Sequence, residues 1–263
     1  MRGQTNRTGY IVFGLGSGRS GTASLAGLLN AQPDMVCFHE ANPAAMAWEG
    51  AEDTVISQLR DYHAILRGET RALTIDRTSP NRTAPVARLK ALAEVRGIGD
   101  VAHYYLPYVE TILAQAPQAR FPCLRRDREE VVESFMAKLR LASPARLRRV
   151  CAWLRGRPLP RSRNHWAGPD DRRWRGDLRF DKCFPSYEGM ATADLATHLR
   201  RWHRDYHTEV ERLQTRYPDH IRLFDISCLN HADGRQSLLD FCLPGGKTDP
   251  DVTVHTNRRP ATV

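Results

Sequence analysis

Tyr10-Ile-Val-Phe13-Gly14-Leu15-Gly16-Ser17-Gly18-Arg19-Ser20-Gly21-Thr22-Ala23-Ser24 is the stretch from which the rest of the chain can be read. A short apolar and aromatic run stops at Gly14, and beyond Thr22 the residues Leu25, Leu28 and Leu29 return at helical spacing. The order is strand, glycine-rich turn, helix. Glycines let a backbone wrap tightly, and the amides at the start of a helix, together with its dipole, attract an anionic group.

The same alternation continues outward. Asn30 and Pro33 end the first helix, and Met35 to Phe38 reads as a second buried strand running into His39-Glu40. Polar groups at such a strand end face the ligand crevice of an open parallel sheet. Helical patterns are expected over 44–68 and 85–95, a weak strand over 98–103, and a helix over 105–115 with Pro107 in its first turn. A strand over 119–124 must place Pro122 at an edge or an irregularity. Val131, Phe135 and Leu139 share one face of a helix over 127–141. Leu195, Leu199, Trp202, Tyr206, Val210, Leu213 and Tyr217 form one stripe of a helix over 192–217. A strand over 221–226 and a short helix over 238–243 close the pattern. Strands alternating with helices throughout predict an α/β fold, a mainly parallel central sheet with helices on both faces.

The chain has 263 residues, 41% of them apolar and 26% charged, which fits a single folded domain over 1–263 and not a disordered chain. No run reaches the roughly 18 apolar residues of a membrane span, and Met1 to Gly9 has no signal-peptide core. Six cysteines, at 37, 123, 151, 183, 228 and 242, form no CxxC pair, so reduced thiols in a cytoplasmic protein are expected. By the same logic the sequons at Asn6 and Asn81 are chance matches. The spacing of His and Cys points to no metal.

The formal net charge of +9 is local. Twelve arginines and three aspartates lie between 140 and 180, and the remainder balances at 27 basic and 27 acidic residues. Residues 142–184, rich in Arg, Pro and Trp without a sustained period, read as a basic insertion or lid. Its Trp153, Trp166 and Trp174 among arginines suit acidic glycans, aromatic acceptors or nucleic acid, or a solvated lid over packed tryptophans.

Three anion-binding readings of the loop compete. A nucleotide kinase needs GxxxxGK, and Thr22 stands where the lysine belongs. An NAD(P)-binding oxidoreductase would use Gly16, Gly18 and Gly21 as GxGxxG, with Glu40 as the ribose acid. In the third, a phosphosulfate loop, Arg19 replaces the lysine and Gly18, Ser20, Gly21, Thr22, Ala23 and Ser24 wrap the anion. Here the sequence resembles the PAPS-dependent sulfotransferases in their GxxRSGT variant.

A second motif carries the same resemblance. Phe121-Pro-Cys-Leu-Arg125-Arg126-Asp-Arg-Glu-Glu-Val-Val-Glu-Ser134 ends a strand and begins a helix, with Arg126 and Ser134 eight residues apart. In sulfotransferases an Arg and a Ser so separated bind the 3′-phosphate of PAPS, and guanidinium suits phosphate through bidentate charge-assisted bonds. The familiar Pro-Arg after Arg-Asp is here Arg128-Glu129, which leaves Arg125 as an alternative to Arg126.

The resemblance implies a P-loop-like three-layer core with PAPS as sulfuryl donor, PAP as product and no metal. It also implies a hydroxyl or amine acceptor on a small molecule or glycan. Nucleic acid is the reading from another class, through the Arg/Trp segment. Transfer needs a base for the acceptor proton and positive groups for the sulfuryl oxygens and departing phosphate. Glu40, 21 residues after Arg19, matches the catalytic glutamate of the tyrosylprotein sulfotransferases in place. His103 is the second candidate base and His39 the third. Arg19 stabilises charge without donating a proton. Tyr187 and Asn257-Arg258-Arg259 are weaker candidates for closing the nucleotide site.

Overall fold

The computed structural model describes residues 9–76, 82–141, 180–185, 187 and 195–254. Among these residues five short strands, β1 (Tyr10–Gly14), β2 (Met35–His39), β3 (Gly97–Val101), β4 (Phe121–Arg125) and β5 (Ile221–Asp225), all run parallel. Their spatial order is β2-β3-β1-β4-β5. Full ladders join β2 to β3, β3 to β1 and β4 to β5. Between β1 and β4 only the bridges Val12–Arg120 and Leu15–Cys123 form.

Pro122 explains that weak seam. The amides of Arg120 and Leu124 donate to Ile11 and Leu15 of the β1 side, and the Pro122 carbonyl accepts from Leu15. The missing Pro122 N–H therefore falls on the β1 side of β4, and the proline sits at an irregularity inside the sheet.

Helices α1 (Thr22–Ala31), α2 (Glu52–Leu66), α3 (Thr83–Ala91), α4 (Val109–Gln115), α5 (Arg128–Leu141), α6 (Leu195–Arg216) and α7 (Ala232–Cys242) complete the layers. Alternate residues of a strand face opposite sides. Ile11, Phe13 and Leu15 join a core with Tyr62, Ile112, Leu199, Trp202 and Tyr206, whereas Val12 joins Leu25, Leu28, Leu29, Leu238 and Leu239 on the other face. The α/β class with a parallel sheet between helical layers is thus as expected.

Several boundaries differ from the sequence reading. The helix expected from 44 begins at Glu52, because 43–48 instead packs on 180–185: Trp48 N–H donates to the Lys182 carbonyl at 2.7 Å, and Lys182 Nζ donates to the Ala44 carbonyl. His103–Tyr108 is a 3₁₀ segment with Pro107 inside it, leading into α4. The last helix starts at Ala232, six residues early, since His231 caps it by accepting the Gly234 N–H at 3.0 Å. The basic stretch 142–179, the 192–194 helix start and the 257–259 tail lie outside the described residues.

Candidate active site

β1 lies inside the sheet, and the chain passes from one side of it to the other after β3, so its C-terminal end opens on a switch-point crevice. The loop that follows is built by backbone demand. Gly18 and Gly21 have φ of 83° and 89°, and Arg19 between them is also left-handed at 56°. A Cβ on Gly18 would stand 2.9 Å from the Phe135 ring. Gly21 begins α1 with no capping side chain, and Ser17 and Ser20 are wholly buried with hydroxyls that meet no hydrogen-bond partner. Two unpartnered buried hydroxyls in a wrapped loop at a helix start are what a cradle for a polar group requires.

The loop gathers the residues that sequence had assigned to an anion. Arg19 Nε donates to Ser134 Oγ at 3.0 Å, so the loop and α5 meet. Arg126 Nη1 donates to the Arg19 carbonyl at 3.3 Å while its Nε bonds Glu130 at 2.7 Å. Arg125 pairs instead with Glu211 on α6. Of the two neighbours, Arg126 therefore belongs to the loop.

The end of β2 arrives beside the same loop. His39 Nε2 and Thr22 Oγ1 share a hydrogen bond of 3.1 Å. Glu40 follows with φ 53°, a conformation that few residues other than glycine adopt. His103 is buried, donates from Nε2 to the Cys183 carbonyl at 3.1 Å and stacks on Phe184 at 4.2 Å. Tyr187 lies under the Arg201 guanidinium, 4.4 Å from its ring centre.

Sequence reasoning treated α6 as packing alone, yet it holds the loop. Tyr206 Oη accepts the Gly16 N–H at 3.0 Å and donates to the His103 carbonyl at 3.2 Å; Trp202 Nε1 donates to the Ser17 carbonyl at 2.8 Å. His203 Nε2 donates to the Arg126 carbonyl at 3.0 Å. One helix thus ties down three strand ends. Burial pushes the Tyr206 phenol well above its usual pKa, so it stays a donor. The signal available in sequence was only that Trp and Tyr carry a polar tip needing a partner when buried.

Among the described residues, no group of three His, Cys, Asp or Glu is placed to hold a metal ion. Nor, among them, is any helix long and apolar enough to cross a membrane.

The model of the sulfotransferase family matches residues 12–167, more than half the chain, and takes in the loop, the β2 end and the Arg126–Ser134 segment. The chain belongs to the sulfotransferase family. A sulfotransferase from Alicyclobacillus acidocaldarius is similar in structure over 95% of this chain and 86% of its own, with 13% identity and a TM-score of 0.46. No curated protein matches this sulfotransferase-family chain in sequence.

Proposed function

We propose that the chain moves a sulfuryl group from PAPS to a hydroxyl or amine acceptor. The observation that carries this reading is the convergence of Arg19, Ser134 and Arg126 on a glycine loop whose Ser17 and Ser20 hydroxyls are buried without partners. Membership of the family favours a phosphosulfate over the dinucleotide that GxGxxG would also admit. Bound PAPS supplies an activated sulfuryl group on a phosphate leaving oxygen.

In this proposal the amides of Gly18 to Ala23 and the hydroxyls of Ser20, Thr22 and Ser24 hold the phosphosulfate. Arg126 and Ser134 hold the 3′-phosphate by charge-assisted and neutral bonds. Arg19, permanently charged, stabilises the sulfuryl oxygens and the departing phosphate. Glu40 takes the acceptor proton as the acceptor oxygen or nitrogen bonds sulfur and the bond from sulfur to the phosphate oxygen breaks. His103 and His39 are the alternative bases, and the engagement of the His103 Nε2–H with a carbonyl supports a structural part for it. A small molecule or glycan is the proposed acceptor class. The free cysteines at 37, 123, 183, 228 and 242 accord with the cytoplasmic setting we assign.

A thermal-shift panel with PAP, NAD, NADP and ATP tests the donor, since a ligand at 100 times its Kd adds about 2.7 kcal/mol. A shift with PAP that Arg126→Ala abolishes, and transfer of label from ³⁵S-PAPS to a panel of phenols, alcohols, amines and glycans, are expected. A shift with NAD or NADP alone would overturn the reading. Tight salt-sensitive DNA or RNA binding that survives Arg19→Ala, with no PAP shift, would move the function to the Arg/Trp segment.

A further inference from the structure

A carboxylate stands where the fold gives it no solvent. Asp100 lies in β3, between Phe13 of β1 and Phe38 of β2 in register, and is fully buried. Burying an ionisable group this deeply is costly, and burial pushes its carboxyl pKa upward against the opposing pull of its hydrogen bonds. Its Oδ2 accepts the Ala41 N–H at 3.0 Å and the Tyr105 O–H at 2.7 Å, while Oδ1 meets no hydrogen-bond partner.

The Ala41 amide belongs to the peptide unit whose carbonyl is that of Glu40. That carbonyl accepts Arg82 Nε–H at 2.5 Å. Arg82 is itself only 4% exposed and pairs at 3.2 Å with Asp76, whose side chain is 8% exposed. The two ends of one peptide unit are therefore gripped from opposite directions by buried side chains. On the other side of the residue, Glu40 N–H donates to the Val101 carbonyl at 3.1 Å. Three hydrogen bonds hold a non-glycine residue left-handed at the strand end, and the Glu40 side chain leaves the backbone in the direction they fix.

We propose that Asp100 and Arg82 are positioning residues of the transfer reaction, clamping the Glu40–Ala41 peptide so that Glu40 meets the acceptor. This rests on the reading of Glu40 as the base. Neither residue touches the glycine loop in the contacts described above, so their effect is on turnover and not on the nucleotide.

Turnover is read as PAP released from PAPS with the best acceptor of the panel, or with water where none is used, and affinity by calorimetry with PAP. Asp100→Ala is expected to lower kcat by about 10- to 100-fold, the scale of a small misplacement, with the PAP Kd within about twofold. Asp100→Asn, which keeps an acceptor oxygen for the Ala41 amide, recovers most of that loss. In a Glu40→Gln background, Asp100→Ala adds no further loss, since both act through one group. Wild-type kcat in Asp100→Ala, or an equal loss in both backgrounds, overturns the positioning role while leaving an inactive Glu40→Gln to stand for the base. Full turnover in Glu40→Gln overturns the base and the clamp together. Should Asp100→Ala not fold, Arg82→Lys keeps a cation beside Asp76 and removes the bridging Nε–H. A lowered kcat with PAP affinity retained is expected there, and an unchanged kcat overturns the proposal.

Discussion

The turns that leave β1 and β2 both place a charged residue in the left-handed region, Arg19 at 56° and Glu40 at 53°, and they are held in different ways. The first spreads its strain over neighbouring glycines at 18 and 21 and is fastened from outside by the indole of Trp202 and the phenol of Tyr206. The second, His39-Glu40-Ala41, contains no glycine and is fastened from beneath by Asp100 and Arg82. On the proposed reading the first turn offers amides to an anion while Gly16 spends its own on Tyr206, and its glycines carry much of its conformation. The second, proposed to aim Glu40, spends the amides of Glu40 and Ala41 on Val101 and Asp100, and residues elsewhere in the chain set its conformation.

Mutations can break that contrast, beginning with the largest effect. Arg19→Ala is expected to lower turnover about 1,000-fold, the scale of removing one preorganised donor for developing charge, and to weaken PAP binding as well. Steady-state kinetics and calorimetry read the two losses. Glu40→Gln should cost about 100- to 1,000-fold in turnover with PAP affinity retained, because only proton transfer is removed; loss of PAP affinity there would merge the two turns into one function.

Stability sharpens the comparison further. Gly18→Ala forces a Cβ into the Phe135 ring at positive φ and should cost about 1–3 kcal/mol in denaturant unfolding. A smaller effect depends on pH. His207 of α6 is buried without partners for either ring nitrogen; burial, then His203 and Arg125, lowers its pKa to about 3. The folded state keeps it neutral while the unfolded chain takes up a proton below about 6.5, so stability is complete above that pH and falls as pH drops toward 3. The slope is at most about 1.4 kcal/mol per pH unit from this group, and His207→Leu should flatten a melting series between pH 7 and 5. Trp202→Phe, which removes the bond to Ser17, should cost about 1 kcal/mol and lower PAP affinity more than it lowers the turnover of bound donor.

How much of this was legible follows the same division. The β1 loop could be read because glycines between a strand and a helix carry their turn chemistry locally, whereas Arg19 and the Arg126–Ser134 pair stand out only through the resemblance to sulfotransferases, and the structure brings Arg19 to Ser134. Arg125 and Arg126 could not be separated, since only the approach of α6 with Glu211 decides which of them turns away. The stripe Leu195 to Leu213 announced a buried helix face, but periodicity says that Trp202 and Tyr206 are inside and not what their polar tips meet. Asp100 was invisible: one acid in Gly97-Ile-Gly-Asp-Val101 has no pattern, and its partner amide is 59 positions away. Pro122 was read correctly as a mark of irregularity, because a missing donor acts wherever the strand is placed.

The bonds from α6 to the glycine loop span 185 and 190 positions of chain. The loop and the residues that fix its shape are thus far apart in the chain, with β2, β3 and β4 lying between them. The shape of the loop therefore rests on contacts of high sequence separation, the kind that form slowly in folding. A chain truncated before Leu195 should carry the whole GxxRSGT signature and, on the proposed function, hold PAP poorly.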